Sequence, residues 1–287
     1  MRAISLFDPW RNSLCTCPKK YSFSPYVGCI HSCLYCYASS YIRDFNFPRI
    51  KEKIILRVNK DLREIDKSLY ISASNSSDPY QKLEEKLKIF RECLKIFKNN
   101  GLKVLILTKS DLVLRDIDIL KRMNVIVSIT ITTLDEKISC KIEPNAPSPF
   151  KRLEALEKLS KENIPTVLRI DPIILGLNDN VEDLILKAKE IGVRHIVSST
   201  YKVRLDNWKR MFKKFPKEMK RLKKFYFVLG EKISGSYYLP KVIREKVMKK
   251  VKNLVEKNGL TFGCCREGFA YLNSKSCDGS HLFYASS

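Results

Sequence analysis

Three cysteines on one short stretch are the strongest chemical signal in this chain. The run Gly28-Cys29-Ile-His-Ser-Cys33-Leu-Tyr-Cys36-Tyr37 spaces them as C-x3-C-x2-C. Three thiolates can hold three irons of a cubane [4Fe–4S] cluster and leave the fourth iron open, whereas electron-transfer clusters use four Cys. An open iron is wanted where a small molecule must bind and react. The competing reading is a structural zinc site with Cys15 or Cys17 as fourth ligand, because zinc ligand pairs come as C-x2–4-C. A second set of thiols lies outside this run. Cys15, Cys17, Cys265 and Cys277 make a second metal site, an auxiliary cluster or a zinc, if the N-terminal arm meets the tail. Free, reduced thiols are the alternative there.

These residues need a scaffold, and a strand-then-helix rhythm supplies it. Tyr21–Val27 reads as a strand that leads into the cysteine loop. Further strands are expected at Leu69–Ser74, Lys103–Thr108, Val125–Thr132, Thr166–Asp171 and His195–Ser199. Between them, apolar residues at helical spacing predict helices over Gln81–Asn99, Leu114–Met123, Pro149–Glu162 and Val181–Ile191. Continuous β-branched strands are buried on both faces and mark a parallel sheet. Six such units make an α/β fold with a partial (β/α)6 TIM-type barrel, and the cysteine loop then falls at the strand ends where barrel enzymes place their sites. A doubly wound open sheet is the alternative. The chain divides into an arm (1–20), the barrel (21–200) and an extension (201–287).

Composition narrows the function. Of 287 residues, 54 are Lys or Arg against 31 Asp or Glu, a net +23. Residues 202–257 alone hold 19 Lys and Arg against 5 Asp and Glu, a local +14. This stretch reads as two basic helices, Trp208–Lys224 and Pro240–Asn258. Such a surplus points to a polyanionic partner, nucleic acid (DNA or RNA) before a membrane surface. A lysine-rich surface of the kind found in thermophiles needs no partner at all. Phe212 and Phe215 fall on one helical face and are expected to anchor the first basic helix to the barrel. No run of about 18 apolar residues spans a bilayer. The start MRAISLFDPWRNSLC has neither the apolar core nor the cleavage signal of a secretory leader, so the protein is placed in the cytoplasm.

The motifs together resemble the radical-SAM superfamily, and within it the spore photoproduct lyase-like group. The resemblance rests on SPYVGCIHSCLYCYA at the cysteines, then SNSSDPY, LTKSDLVLRD, SITITT and RIDPII at successive strand ends. It implies a [4Fe–4S] cluster on Cys29, Cys33 and Cys36, and S-adenosylmethionine as cofactor. It further implies that Tyr35 lies against the adenine and that Ser74, Asn75, Ser76 and Ser77 receive the methionine amino group. Lys109 and Ser128 look like contacts to the methionine carboxylate. Arg169 is either a carboxylate or ribose contact, or the partner of Asp171 in an internal ion pair. The reaction implied is reductive cleavage of S-adenosylmethionine, with an electron donor such as ferredoxin or flavodoxin, and hydrogen abstraction from a substrate.

The pattern departs from the family at one position. Where spore photoproduct lyases carry a hydrogen-donating Cys, this chain has Asn75. A carboxamide cannot donate a hydrogen atom at comparable cost, so spore photoproduct repair is not expected. Cys93, Cys140 and the tail cysteines are the candidate donors; Cys93 and Cys140 are both expected in the core, and the donor stays open. A nucleic-acid substrate, in a repair-like or RNA-modifying reaction, is the first reading. A peptide or metabolite substrate is the second, and a zinc-stabilised nucleic-acid-binding protein with no catalysis is the third.

Overall fold

The structure, a computed structural model, describes residues 2–7 and 13–284. Seven parallel strands stand side by side in chain order, with β1 (Ile4–Leu6) antiparallel on the outer edge. They are β2 (Tyr21–Phe23), β3 (Ile71–Ala73), β4 (Val104–Thr108), β5 (Val125–Thr130), β6 (Thr166–Ile173), β7 (His195–Thr200) and β8 (Thr261–Cys264). Sequential order with helical crossovers is the partial-barrel arrangement, and all six expected strands are present. The tail adds a seventh: β8 pairs in parallel with β7. Its Thr-Phe-Gly-Cys is too short and too glycine-marked to stand out as a strand in sequence.

Alternation along the strands gives the sheet two apolar faces. Ile71, Val104, Val127, Leu168 and Ile196 point outward to the helices α1 (Ile89–Asn99), α2 (Pro149–Lys161) and α3 (Glu182–Glu190), which return Phe97, Leu156 and Ile185. The opposite face presents Leu105, Ile126, Val167 and Val197, and the tail covers it with Leu282 and Phe283. Three helices follow the barrel: α4 (Leu205–Lys214), α5 (Pro216–Phe227) and α6 (Lys241–Lys257). Among them α6 packs on the sheet with Met248, Val251 and Val255.

Some expected elements are divided, for physical reasons. The helix over 81–99 is interrupted at Lys88, which takes a left-handed conformation. The break lets the buried Glu84 carboxylate accept the N–H groups of Phe90 (2.9 Å) and Arg91 (3.2 Å), two donors that a new helix N-terminus leaves without partners. The helix over 208–224 breaks at Phe215-Pro216. Trp208, Met211 and Phe215 then make the buried stripe, and Phe212 is turned outward at 40% exposure rather than anchoring the helix. Cys140 is also exposed and not in the core, because Ile138 and Ile142 are the inward residues of its short helix.

Arm and tail are joined by one buried ion pair. Lys20 Nζ lies 2.6 Å from Asp278 Oδ2, and the same oxygen accepts from the Tyr70 hydroxyl at 2.5 Å. Burial opposes the charge on Asp278, but Lys20 and its hydrogen bonds hold the carboxyl down at about 2. Removing one member of a buried pair strands the other. Lys20→Met should therefore cost about 3–5 kcal/mol in urea unfolding, and a Lys20→Met/Asp278→Leu pair should recover most of it. The contribution of Asp278 is in place above its ordinary value of 3.8 and is lost as pH falls toward 2. An acid titration of stability should show this step in the wild type and lack it in the double variant.

Candidate functional site

The cysteine loop leaves the end of β2 and closes over the mouth of the barrel. Gly28 begins it with φ 84°, and a Cβ there would meet the Phe45 carbonyl oxygen at 2.5 Å. The close approach is used: Cys29 N–H donates to that carbonyl at 2.7 Å. Cys29, Cys33 and Cys36 all line one cavity of about 190 Å³. Burial raises all three thiols, Cys29 up to about 12, so each is neutral unless a cationic centre draws off the proton.

Almost none of the loop is in regular secondary structure, so other elements satisfy its polar backbone. Leu34 N–H donates to Ile142 at 2.8 Å. From α4, Asn207 donates to the Tyr35 carbonyl (3.1 Å), and Arg210 to those of Leu34 (3.2 Å) and Cys36 (3.0 Å). Asp206 in turn orients Arg210 at 2.8 Å and accepts from Ser39 and Ser40. On the opposite side His31 lies 3.3 Å from Asp78, which also accepts from Thr108 Oγ1 and Lys109 N–H, each at 2.7 Å. Below, the Tyr35 hydroxyl donates to Glu143, which forms a fully buried ion pair with Arg152 at 2.6 Å.

The cavity gathers most of the residues singled out in the sequence. Cys29, Cys33, Cys36, Tyr35, Ser74, Asn75, Ser76, Ser77, Lys109 and Arg169 all line it. Ser128 does not: it sits one pleat deeper, level with Leu107, and Thr130 occupies the lining position. Ser74 and Ser77 have buried hydroxyls without a hydrogen-bond partner, a polar cradle with unused capacity. Asn75 is already engaged, accepting from Ser72 Oγ and donating to Ser22 Oγ, both at 3.0 Å. Lys109 stands over the Tyr35 ring, 5.5 Å from its centre. Burial works against its charge, but Cys33, Glu143 and Asp78 raise its ammonium above the ordinary range.

Both readings of Arg169 meet in one geometry. It lines the cavity and is paired with Asp171 at 2.5 Å. Asp171 is linked through Ser199 to Lys202, whose ammonium is pushed up to about 12 as Glu267 and Asp171 outweigh its burial. Cys93 is buried in α1, away from this cavity.

Cys15 and Cys17 do not reach the cavity, so neither completes a zinc site on the loop. They meet the tail instead. Cys277 Sγ lies 3.3 Å from Cys17 Sγ, Cys15 is hydrogen-bonded to Cys17, and Cys265 contacts Arg169. Hydrogen bonds from Cys15 and Cys277 bring the Cys17 thiol down, while those two thiols are pushed up. Among the described residues no three Cys, His, Asp or Glu side chains close around a single ion.

A parallel partial barrel with three thiols lining one cavity, on the loop after its first parallel strand, is the architecture of enzymes that place a reactive cluster at the barrel mouth. The radical SAM superfamily model matches residues 23–191, more than half the chain, and the chain belongs to that superfamily. That superfamily uses a [4Fe–4S] cluster and S-adenosylmethionine, and Cys29, Cys33 and Cys36 are the residues of this chain that would hold the cluster. An uncharacterized protein of Methanocaldococcus jannaschii is 35% identical over 175 residues, 59% of this chain and 66% of that protein. The radical SAM Nalpha-GlyT isomerase of Pseudomonas phage M6 is 23% identical over 258 residues, 85% of this chain and 53% of that one. The chain thus spans just under two thirds of the first relative and about half of the second. Spore photoproduct lyase complexed with dinucleoside spore photoproduct shares the fold at TM-score 0.63 and 17% identity, over 83% of this chain and 72% of that one. Streptococcus suis SuiB bound to precursor peptide SuiA does so at 0.57 and 14%, over 87% and 50%.

Asp78, Glu143, Asn207 and Arg210 were not singled out by sequence. Asp78 had a signal, since it lies within the SNSSDP run. Arg210 had none, being one of many cations in a basic stretch. Arg210→Met removes charge-assisted bonds worth about 1.5–3 kcal/mol each. Iron retained after anaerobic gel filtration should fall several-fold relative to wild type. Far-ultraviolet dichroism should be unchanged, since the barrel core does not depend on Arg210.

Proposed function

We propose that this radical SAM enzyme acts on a nucleotide unit of nucleic acid, in a repair-like or RNA-modifying reaction. The observation that carries the reading is where the basic residues lie. Part of the +14 stretch lies at the site itself: helix α4, with Lys209, Arg210, Lys213 and Lys214 against Asp206, grips the cysteine loop. A structural neighbour that binds a dinucleoside supports the same substrate class. A base must leave its stack to reach a buried site, so a flipped nucleotide or a single strand is the form that enters.

On this reading Cys29, Cys33 and Cys36 hold the cluster. Lys109 receives the methionine carboxylate as a point charge. The hydroxyls of Ser74 and Ser77, with backbone carbonyls of the same turn, receive the amino group. Tyr35 forms a wall, fixed by Glu143, and Arg169 with Asp171 presents a polar edge to the ribose. A [4Fe–4S] cluster held by Cys29, Cys33 and Cys36 would supply the electron for reductive cleavage of S-adenosylmethionine, the chemistry by which hydrogen is taken from a substrate. The chain's share is positioning and exclusion of water. Asn75 is hydrogen-bonded to Ser22 and Ser72, and a carboxamide in place of a thiol argues against spore photoproduct repair as the reaction. The electron comes from a ferredoxin- or flavodoxin-like donor in the cytoplasm, where thiols stay reduced.

Perdeuterated substrates test this directly. Reconstituted protein, S-adenosylmethionine and reductant are incubated with deuterated RNA or single-stranded DNA, and the 5′-deoxyadenosine is analysed by mass. Deuterium in the nucleoside is the expected result. Label arriving only from a deuterated peptide pool would make the reading wrong and favour a peptide substrate, as in the SuiB complex.

A further inference from the structure

A second recess adjoins the cavity and shares Tyr37 and Lys202 with it. Its other walls include Arg204, Arg266, Tyr41 and Tyr238. The two arginines differ from the other guanidiniums of the interior. Arg91, Arg115, Arg152, Arg169 and Arg244 each meet a carboxylate at 2.5–3.0 Å. Arg204 and Arg266 have no such partner among the described residues. Arg204 donates to the Ser234 carbonyl at 3.2 Å and Arg266 to the Tyr37 hydroxyl at 3.3 Å, and both Nε atoms are buried without a hydrogen-bond partner. Each guanidinium lies over a tyrosine ring at 5.7 Å, Arg204 on Tyr41 and Arg266 on Tyr37.

A partly buried charge is costly unless it is paired. Ring contacts answer part of that cost, and the unused N–H groups remain. The place is also built: Gly235, at φ 76°, turns the hairpin between Glu231–Ile233 and Ser236–Tyr238, and a Cβ there would come within 3.3 Å of the Arg204 guanidinium. Two forks of N–H donors with no carboxylate to meet suit an oxyanion, and planar forks match phosphate.

We propose that this recess is a phosphate subsite, in which Arg204 and Arg266 hold a phosphodiester next to the nucleotide that enters the radical cavity. The tyrosine rings flank that nucleotide, and Lys202 marks the boundary between the subsites. The proposal rests on the nucleic-acid reading above and makes it more specific.

Binding of a fluorescent single-stranded oligonucleotide, followed by anisotropy across a salt series, tests it in the full chain. Wild type should bind, and Arg204→Met/Arg266→Met should bind at least about tenfold more weakly, with the slope against salt reduced by about 1. An oligonucleotide with neutral methylphosphonate linkages should show no difference between the two proteins. Equal binding and equal slopes overturn the subsite while leaving the nucleic-acid reading intact. No oligonucleotide binding by wild type at low salt overturns that reading, and a tighter fit to an acidic peptide overturns both. If the double Met variant does not fold, Arg204→Lys and Arg266→Lys keep the charge and lose the fork. They should weaken binding with the salt slope unchanged, and unaltered affinity would again overturn the proposal.

Discussion

Three thiols that must face one cavity, on a loop with little secondary structure of its own, set the demand that the rest of this molecule meets. Backbone carbonyls and N–H groups at such a place cannot be left dry. They are answered from four directions: by Phe45, by Ile142, by Gln81 and by Asn207 and Arg210 of α4. The basic segment after the barrel thus has a structural part, holding the loop, beside whatever it binds. Gly28 belongs to the same demand, since only a residue without Cβ passes the Phe45 carbonyl.

Beneath the cavity the charges are arranged in pairs. Glu143 with Arg152, Asp171 with Arg169 and Glu267 with Arg244 are each in contact, and Lys202 leans on Ser199 and Glu267. Each isolated charge would be expensive at this depth, and together they give a rigid polar floor. Against that background Lys109 stands out, placed over Tyr35 and oriented toward the same lining as Ser74 and Ser77. Among the described residues, Arg204 and Arg266 at the side contrast with this floor in having no carboxylate partner.

Much of this was legible in the sequence because it depends on local pattern. The strands show as β-branched runs, and the cysteine spacing with the strand-end motifs gave the family. What escaped depends on distance along the chain. Arg210 reaches the loop across 174 residues to Cys36, and nothing in its own neighbourhood distinguishes it from adjacent lysines. The strand Thr261–Cys264 is recognised only by its partner β7. Ser128 is expected at the methionine carboxylate from the family resemblance, yet one pleat separates it from the lining residue Thr130. Cys140 and Phe212 were misplaced for the opposite reason, since a short helix and a helix break turned them to solvent. The arm does meet the tail, with Cys17 against both Cys277 and Cys15, a contact between residues some 260 positions apart that no local pattern reveals.

The central claim is that the three loop thiols support reductive cleavage of S-adenosylmethionine. The most direct measurement is 5′-deoxyadenosine formed after anaerobic reconstitution and reduction, in wild type and in the Cys29→Ala/Cys33→Ala/Cys36→Ala variant. Product from the wild type alone, even slowly and without substrate, is the result this account predicts. Equal product from both, or none from a wild type that retains zinc and no iron, would contradict it.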